Sequence, residues 1–138
     1  MTAFVIDASC IPPFFFKDEA SSAADLIFTA ALREGAVVPA IWPLEVANIL
    51  RQGERRGRIA AEEIMEACRR VLLIPVEIEP MSISMALGPV LDLATRHGLT
   101  TYDAAYLELA RRRALPLATR DAALIRAAPL EGVALLPA

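Results

Sequence analysis

The chain has 138 residues, of which 56% are hydrophobic and 22% charged, and its formal net charge is -3. This length predicts a single domain, residues 1–138, with room for a hydrophobic core. The hydrophobic content excludes a disordered chain, and the weakly acidic balance does not by itself indicate a nucleic-acid binder. His97 is the only histidine, and Cys10 and Cys68 are the only cysteines. These counts exclude a histidine-rich metal site, a Ser-His-Asp triad and a disulfide framework.

Lys17 is the only lysine among 14 basic residues. Arginine suits bidentate contact with phosphate, but a GC-rich genome produces the same bias, and both interpretations stay open. The first residues lack the basic region of a signal peptide. No apolar run approaches the roughly 18 residues needed to span a bilayer. We therefore expect a cytoplasmic protein without membrane association.

The first third of the chain predicts two strands and one long helix. The apolar run 3–6 predicts a buried strand that ends at Asp7, and Pro12 and Pro13 keep any helix after it short. Helical spacing of apolar residues follows over 18–33, and Gly35 is placed to end that helix. Residues 36–38 predict the second strand.

The middle of the chain is mostly helical. A helix is predicted from the Trp42-Pro43 pair to Gly53, because proline is tolerated in a first helical turn. The basic turn 54–58 and a helix over 60–73 follow, then a strand over 76–78. A further helix covers 82–97, bent or split at Gly88-Pro89 and ended by Gly98.

The last third predicts a helix over 100–113, a strand over 115–118, a short helix over 121–127 and a strand over 133–136. Alternating strands and helices imply a parallel sheet with helices on both faces. The fold class is therefore α/β.

Four isolated acids stand where strand-like runs give way to helical ones: Asp7, Glu45, Asp103 and Asp121, together called the acidic quartet. In an open parallel sheet, ligand sites form beyond the carboxyl ends of the strands, so all four are expected at one edge. Two like charges about 4 Å apart cost roughly 4 kcal/mol at an effective dielectric constant near 20. The quartet therefore indicates metal-ion chemistry, with phosphodiester hydrolysis as the leading reaction.

Each acid also has a purely structural interpretation. Asp7 and Asp121 are suited to cap helix N-termini, and the Thr100 to Asp103 spacing fits a capping box. Glu45 lies in a first helical turn, where the helix dipole favours an anion. Capping explains each residue separately but not their recurrence around one crevice.

Four segments carry a resemblance to a known family. They are Val-Ile-Asp-Ala-Ser at 5–9, Pro-Leu-Glu-Val-Ala-Asn-Ile-Leu at 43–50, Thr-Tyr-Asp-Ala-Ala-Tyr-Leu-Glu-Leu-Ala at 101–110, and Leu-Ala-Thr-Arg-Asp at 117–121. In order and spacing they resemble the PIN-domain ribonucleases, in particular the toxins of VapBC-type toxin–antitoxin pairs. The likeness covers almost the whole chain.

The resemblance implies a three-layer α/β/α PIN-like domain with a central, mainly parallel sheet. It implies a metal-dependent endoribonuclease that uses one or two Mg2+ or Mn2+ ions to cut RNA, with tRNA among the candidate substrates. Asp7, Glu45, Asp103 and Asp121 match the family's catalytic and metal-binding acids, and Asp7 and Asp103 are expected to hold the metal most directly.

Three further residues are expected to support the quartet. Ser9 and Thr119 match small hydroxyl positions that hold a ligand or a metal-bound water, with helix capping as the alternative. Asn48, one helical turn after Glu45, is expected to hydrogen-bond within the pocket.

Partners follow from the same resemblance. It implies a homodimer held inactive by a small antitoxin protein whose tail lies across the pocket. The three phenylalanines at 14–16 are expected to divide between core packing and a partner surface, because successive side chains of one element do not all point inward. Arg51, Arg55, Arg56, Arg58 and Arg120 are candidates to contact the RNA backbone, with a solvated charged face as the alternative.

Other functions fit less well. A phosphotransfer enzyme built on Asp7 lacks a second Asp two residues on, where Ser9 stands, and a receiver domain lacks its late lysine. A non-catalytic interaction module of the PIN fold is the alternative that stays open. The double proline at 12–13 departs from the family pattern and puts the first helix in question.

Overall fold

The computed structural model describes residues 3–136. Five strands in this range form one sheet in the order β3-β2-β1-β4-β5, and every neighbouring pair is parallel. The strands are β1 (Phe4–Ile6), β2 (Ala36–Pro39), β3 (Val76–Glu79), β4 (Leu117–Ala118) and β5 (Leu135–Leu136). The predicted α/β class with a mainly parallel sheet is confirmed.

Helical segments make every connection between the strands. After β1 come a 3-10 turn (Ala8–Cys10), α1 (Pro12–Phe15), a second 3-10 turn (Lys17–Glu19) and α2 (Ser22–Glu34). Between β2 and β3 lie α3 (Trp42–Arg55) and α4 (Ala61–Leu72). The chain then forms α5 (Ile83–Met85), a π-helical turn (Ala86–Val90), α6 (Leu91–His97), α7 (Thr101–Arg113) and, after β4, α8 (Ala122–Leu130).

The core is built around β1 and α7. All three residues of β1 are fully buried, as expected for a central strand covered on both faces. Helix α7 contacts β1, β2 and β4, and its residues 104–110 are all buried. This helix carries Asp103 at its start, so the most buried helix of the fold also delivers one acid of the quartet.

The N-terminal connection differs from its prediction. Helix α2 starts at Ser22 rather than near residue 18, because the Ser21 hydroxyl accepts a hydrogen bond from the Ala24 N–H and caps the helix there. The double proline leaves a helix of four residues in place of a long one. Phe14 and Phe16 are buried and Phe15 is partly exposed, so core packing takes two of the three phenylalanines.

The last two strands are shorter than predicted. The N–H of Leu115 bonds back to Ala110 at the end of α7, and that of Val133 bonds back to Ala128 at the end of α8. These residues complete helix ends and do not extend the sheet. The predicted bend at Gly88-Pro89 is confirmed as the π-helical turn, since Pro89 has no N–H for the regular helical ladder.

The arginines that end α7 are paired with acids. Arg111 binds Glu131, Arg112 binds Glu108 on the same helix, and Arg113 binds Glu77 on β3. Their role is structural. None of the helices within residues 3–136 has the length and apolar composition to cross a lipid bilayer.

Candidate functional site

The site begins where two neighbouring strands end. Ile6 of β1 and Ala118 of β4 are register partners, so the next residue of each strand, Asp7 and Thr119, emerge side by side. The Asp7 N–H donates to the Ala118 carbonyl over 2.9 Å, which fixes this alignment. Residues 112 positions apart in sequence thus become neighbours at the carboxyl edge of the sheet.

One oxygen of Asp7 is held by two hydroxyls. The Ser9 Oγ and the Thr119 Oγ1 each donate to Asp7 Oδ2 over 2.7 Å. Asp7 is only 4% exposed, and a buried carboxylate needs such hydrogen bonds to remain charged. The two hydroxyls therefore support Asp7 directly.

Both hydroxyls are in turn positioned by backbone N–H groups. Ser9 Oγ accepts from the Arg120 N–H over 2.8 Å, and Thr119 Oγ1 accepts from the Asp121 N–H over 3.0 Å. Neither hydroxyl caps a helix. In this structure both bind Asp7, where the sequence interpretation expected them to hold a ligand or a water.

The other three acids converge on the same place from three helix starts. Glu45 lies in the first turn of α3 and Asp103 in the first turn of α7. Asp121 precedes α8. A cavity of about 270 Å³, called the acidic cavity, is lined by Asp7, Ala8, Ser9, Glu45, Asn48, Ile49, Asp103 and Asp121. The whole quartet, with Ser9 and Asn48, therefore faces one opening, while Thr119 is buried behind Asp7.

Helix capping accounts for part of this arrangement. Asp121 Oδ2 accepts a hydrogen bond from the Leu124 N–H over 2.9 Å, so Asp121 is a true N-cap. The Thr100 hydroxyl accepts from the Asp103 N–H, so Thr100, and not Asp103, caps α7. Asp7 makes no capping hydrogen bond. The structural interpretation thus holds for Asp121 and fails for Asp7.

Burial and mutual repulsion disfavour the charged forms of three acids. Burial is the main cause that raises the pKa of Asp7, against the two hydroxyl hydrogen bonds, and the charge of Asp121 raises it further. Burial also raises the pKa of Asp103, with the charges of Asp121 and Asp7 adding to it. The pKa of Glu45 is raised by burial, opposed by a hydrogen bond from Tyr106 and increased by Asp7 and Asp103. The four side chains are close enough to repel one another, which a bound cation would relieve.

The donor chemistry fits a hard divalent cation, but the side chains stand apart. Carboxylates and an amide such as Asn48 are the oxygen donors that Mg2+ and Mn2+ favour. Within residues 3–136, however, no three carboxylate, imidazole or thiol side chains are close enough to hold one ion together. The shared cavity is confirmed, and joint coordination stays a prediction that requires the carboxylates to turn towards one another.

One contact in the site was not anticipated from the sequence. The Tyr106 hydroxyl donates a hydrogen bond to Glu45 Oε1. Tyr106 lies three residues after Asp103, on the same face of α7, and its side chain is fully buried. That spacing is the sequence signal that was available, but it does not reveal Glu45 as the partner, 61 residues away.

The arginines expected from the sequence to contact RNA divide into two groups. Arg58 binds Asp18 and Glu19, and Arg120 binds the same Glu19. Arg51 makes only a loose exposed pair with Glu54. Arg55 and Arg56, at the end of α3, are exposed. The first group is held by acids of the turn before α2, and the second faces solvent.

Comparison with known proteins places this arrangement in a family. The PIN domain model matches residues 4–130. The chain is 31% identical over 117 residues to Ribonuclease VapC3 of Pyrobaculum aerophilum, a match that covers 85% of this chain and 88% of that protein. It also superposes on the crystal structure of PAE2754 from Pyrobaculum aerophilum with a TM-score of 0.71 and 25% identity, covering 98% of this chain and 84% of the other. The chain belongs to the PIN-domain family.

Proposed function

We propose that this PIN-domain protein is a metal-dependent endoribonuclease with Asp7, Glu45, Asp103 and Asp121 as its catalytic acids. The observation that carries the proposal is the convergence of these four carboxylates, from four separate segments, on the acidic cavity. The relationship to Ribonuclease VapC3 supports RNA as the substrate. The reaction is hydrolysis of a phosphodiester bond.

Mg2+ or Mn2+, as one or two ions, would be held by the quartet with Asp7 and Asp103 as principal ligands. When bound, such an ion makes hydroxide available near neutral pH and neutralises charge on the phosphate. The quartet acids would otherwise repel an RNA phosphate, so their charge must be compensated before substrate enters. This requirement ties substrate binding to the metal.

The residues of the chain orient the ligands. Ser9 and Thr119 donate to Oδ2 of Asp7, and these hydrogen bonds favour the charged form of the buried carboxylate and restrict its rotamer. Asn48 lines the cavity one turn beyond Glu45 and supplies an amide oxygen or N–H to the substrate or to a water. Oδ2 of Asp121 already accepts the capping hydrogen bond of α8, so Asp121 would contribute to metal binding through its other oxygen.

The exposed arginines of α3 are proposed to guide the RNA backbone. Arg51 and Arg55 lie on the helix that presents Glu45 and Arg56 directly follows it, and backbone contacts of this kind position a nucleic acid without reading its bases. Arg58 and Arg120 join them only when phosphate displaces Glu19 from their guanidinium groups. Substrate affinity should therefore fall steeply with salt concentration.

The relationship to a VapC protein supports a toxin that a small antitoxin neutralises. A groove of about 460 Å³ between residues 13–20 and α4 would receive a segment of that partner, to which the partly exposed Phe15 offers an apolar contact. Glu62, Glu63 and Glu66 on its rim favour basic residues in the partner. Addition of the antitoxin should stop RNA cleavage by the purified protein.

A homodimer is proposed from an exposed apolar row on successive turns of residues 83–91. Ile83, Leu87 and Leu91 are 80%, 68% and 45% exposed, and a row of this kind is typical of an interface. Replacement of Leu87 by Glu should convert a dimer to a monomer in light scattering. An unchanged molar mass would reject this face as the interface.

A non-catalytic interaction module of the same fold is the competing function. The separation of the carboxylates, with no three gathered in the described range, is the observation that favours it. Such a module would use the fold as a binding surface and would need no metal. Only a cleavage assay distinguishes the two.

The test measures cleavage of tRNA and of a single-stranded RNA in Mg2+, Mn2+ or EDTA. Wild-type protein should cleave with metal and stop in EDTA, and Asp103→Asn and Asp7→Ala should lower the rate by about 100-fold or more. Asp92→Asn is the matched control, because Asp92 also lies in a first helical turn but outside the cavity. A retained rate in Asp103→Asn would remove its assigned role, and a folded wild type inert in every condition would favour the interaction module.

A further inference from the structure

We infer that Tyr106 is a positioning residue that acts through Glu45, and this inference rests on the proposed function. The Tyr106 hydroxyl donates to Glu45 Oε1. The two residues come from different helices, α7 and α3, so the hydrogen bond joins two walls of the acidic cavity. Among the side chains of residues 3–136, Tyr106 is the one that donates a hydrogen bond to Glu45, and Glu45 also lines the acidic cavity.

The partner of this phenol is what separates a functional role from packing. Tyr106 is fully buried, and a buried hydroxyl without a hydrogen bond is strongly unfavourable. A backbone carbonyl would satisfy it equally well. The Tyr106 hydroxyl instead binds an acid of the quartet. Tyr106 itself lies on the helix that presents Asp103, three residues earlier.

The electrostatics of the cavity explain why Glu45 needs such a partner. Asp7 and Asp103 both repel the Glu45 carboxylate, and a glutamate side chain has more rotatable bonds than an aspartate with which to swing away. The phenol opposes that movement.

The inference predicts a coupling between two substitutions in the full-length protein. Tyr106→Phe removes only the hydroxyl, and loss of such a supporting partner typically costs about 10- to 100-fold in metal affinity or activity. We expect that loss in the Mn2+ dissociation constant, measured by calorimetry, and in kcat at saturating Mn2+, where KM for RNA should stay unchanged. In a Glu45→Ala background, where the phenol has lost its acceptor, the added Tyr106→Phe should cost less than about twofold.

Two controls separate positioning from folding. Tyr102→Phe removes a hydroxyl from an exposed tyrosine of the same helix and should leave Mn2+ affinity and kcat unchanged. Thermal unfolding of all variants checks that each remains folded. A penalty from Tyr106→Phe that is equal with and without Glu45 would show a purely structural role and overturn the inference.

The outcomes also distinguish the inference from the function beneath it. If Glu45→Ala abolishes cleavage while Tyr106→Phe behaves as wild type in both measurements, the inference is overturned and the proposed function stays intact. Absence of both cleavage and Mn2+ binding in the wild type overturns the proposed function and the inference with it. A loss of Mn2+ affinity and kcat in Tyr106→Phe that vanishes in the Glu45→Ala background supports both.

Discussion

The Thr119 hydroxyl donates to Asp7 Oδ2 over 2.7 Å across 112 residues of sequence. The contact exists because β4 lies beside β1 in the sheet and the two strands end at the same level. It shows that the end of β4 contributes to the site twice, through Asp121 at the cavity and through Thr119 behind Asp7. Thr119 therefore supports Asp7, the most deeply buried acid of the quartet.

Thr119→Val should lower RNA cleavage about 10- to 100-fold, because the isosteric side chain no longer orients Asp7. The same change should reduce the free energy of unfolding by about 1–3 kcal/mol, since a charged acceptor loses a buried donor. Cleavage kinetics and urea denaturation measure the two effects. Thr29→Val, at an exposed position of α2, is the control, and equal kinetics for both variants would contradict the role of Thr119.

Asp7→Asn should stabilise the protein in EDTA at pH 7, by about 1 kcal/mol, the size typical of a single substitution. Burial raises the pKa of Asp7 in the folded state above its unfolded value near 3.9. The native protein therefore binds the proton more readily, so the Asp7 contribution to stability is present at low pH and is lost as pH rises through the folded pKa.

The advantage of Asp7→Asn should accordingly shrink as the pH is lowered from 7 towards 4. Urea denaturation of both proteins across that range measures the difference. The pKa values of Glu19 and Glu131 are lowered by their arginine and histidine partners, although burial opposes the shift. These two groups affect both proteins equally, so their contributions cancel in the stability difference. A difference that is constant with pH would show that Asp7 does not titrate in this range.

Gly53→Ala should destabilise the fold by about 1–3 kcal/mol, the usual cost of overpacking. A Cβ at this position would lie 2.5 Å from Cζ of Phe16, and this ring also stacks under Arg58. Gly88→Ala is the matched control, because it adds the same methyl group where nothing lies within 4 Å. Thermal unfolding should therefore separate the two, and similar shifts in melting temperature would contradict the packing of Phe16 against α3.

Local signals in the sequence were sufficient to predict the sheet and the cavity. Apolar runs located all five described strands, and the positions of Asp7 and Asp121 after two of them placed both acids at one edge. The predictions started β4 and β5 too early, because the N–H groups of Leu115 and Val133 bond back to helix ends. Apolar character alone does not distinguish a residue that ends a helix from one that starts a strand.

The contacts between distant side chains were beyond prediction. The sequence shows hydroxyls at Ser9 and Thr119 but not that both bind one oxygen of Asp7. It shows Tyr106 in a helix but not its hydrogen bond to Glu45. Each depends on strand order and helix packing, which no local pattern specifies.

The most direct test of a shared cation is an anomalous difference map from crystals soaked in Mn2+. We expect a peak in the acidic cavity with oxygens of Asp7 and Asp103 about 2.0–2.6 Å from it, after rotation of these side chains from the positions seen here. The shared cation would be contradicted if the protein cleaves RNA in Mn2+ but its crystals show no ion among Asp7, Glu45, Asp103 and Asp121.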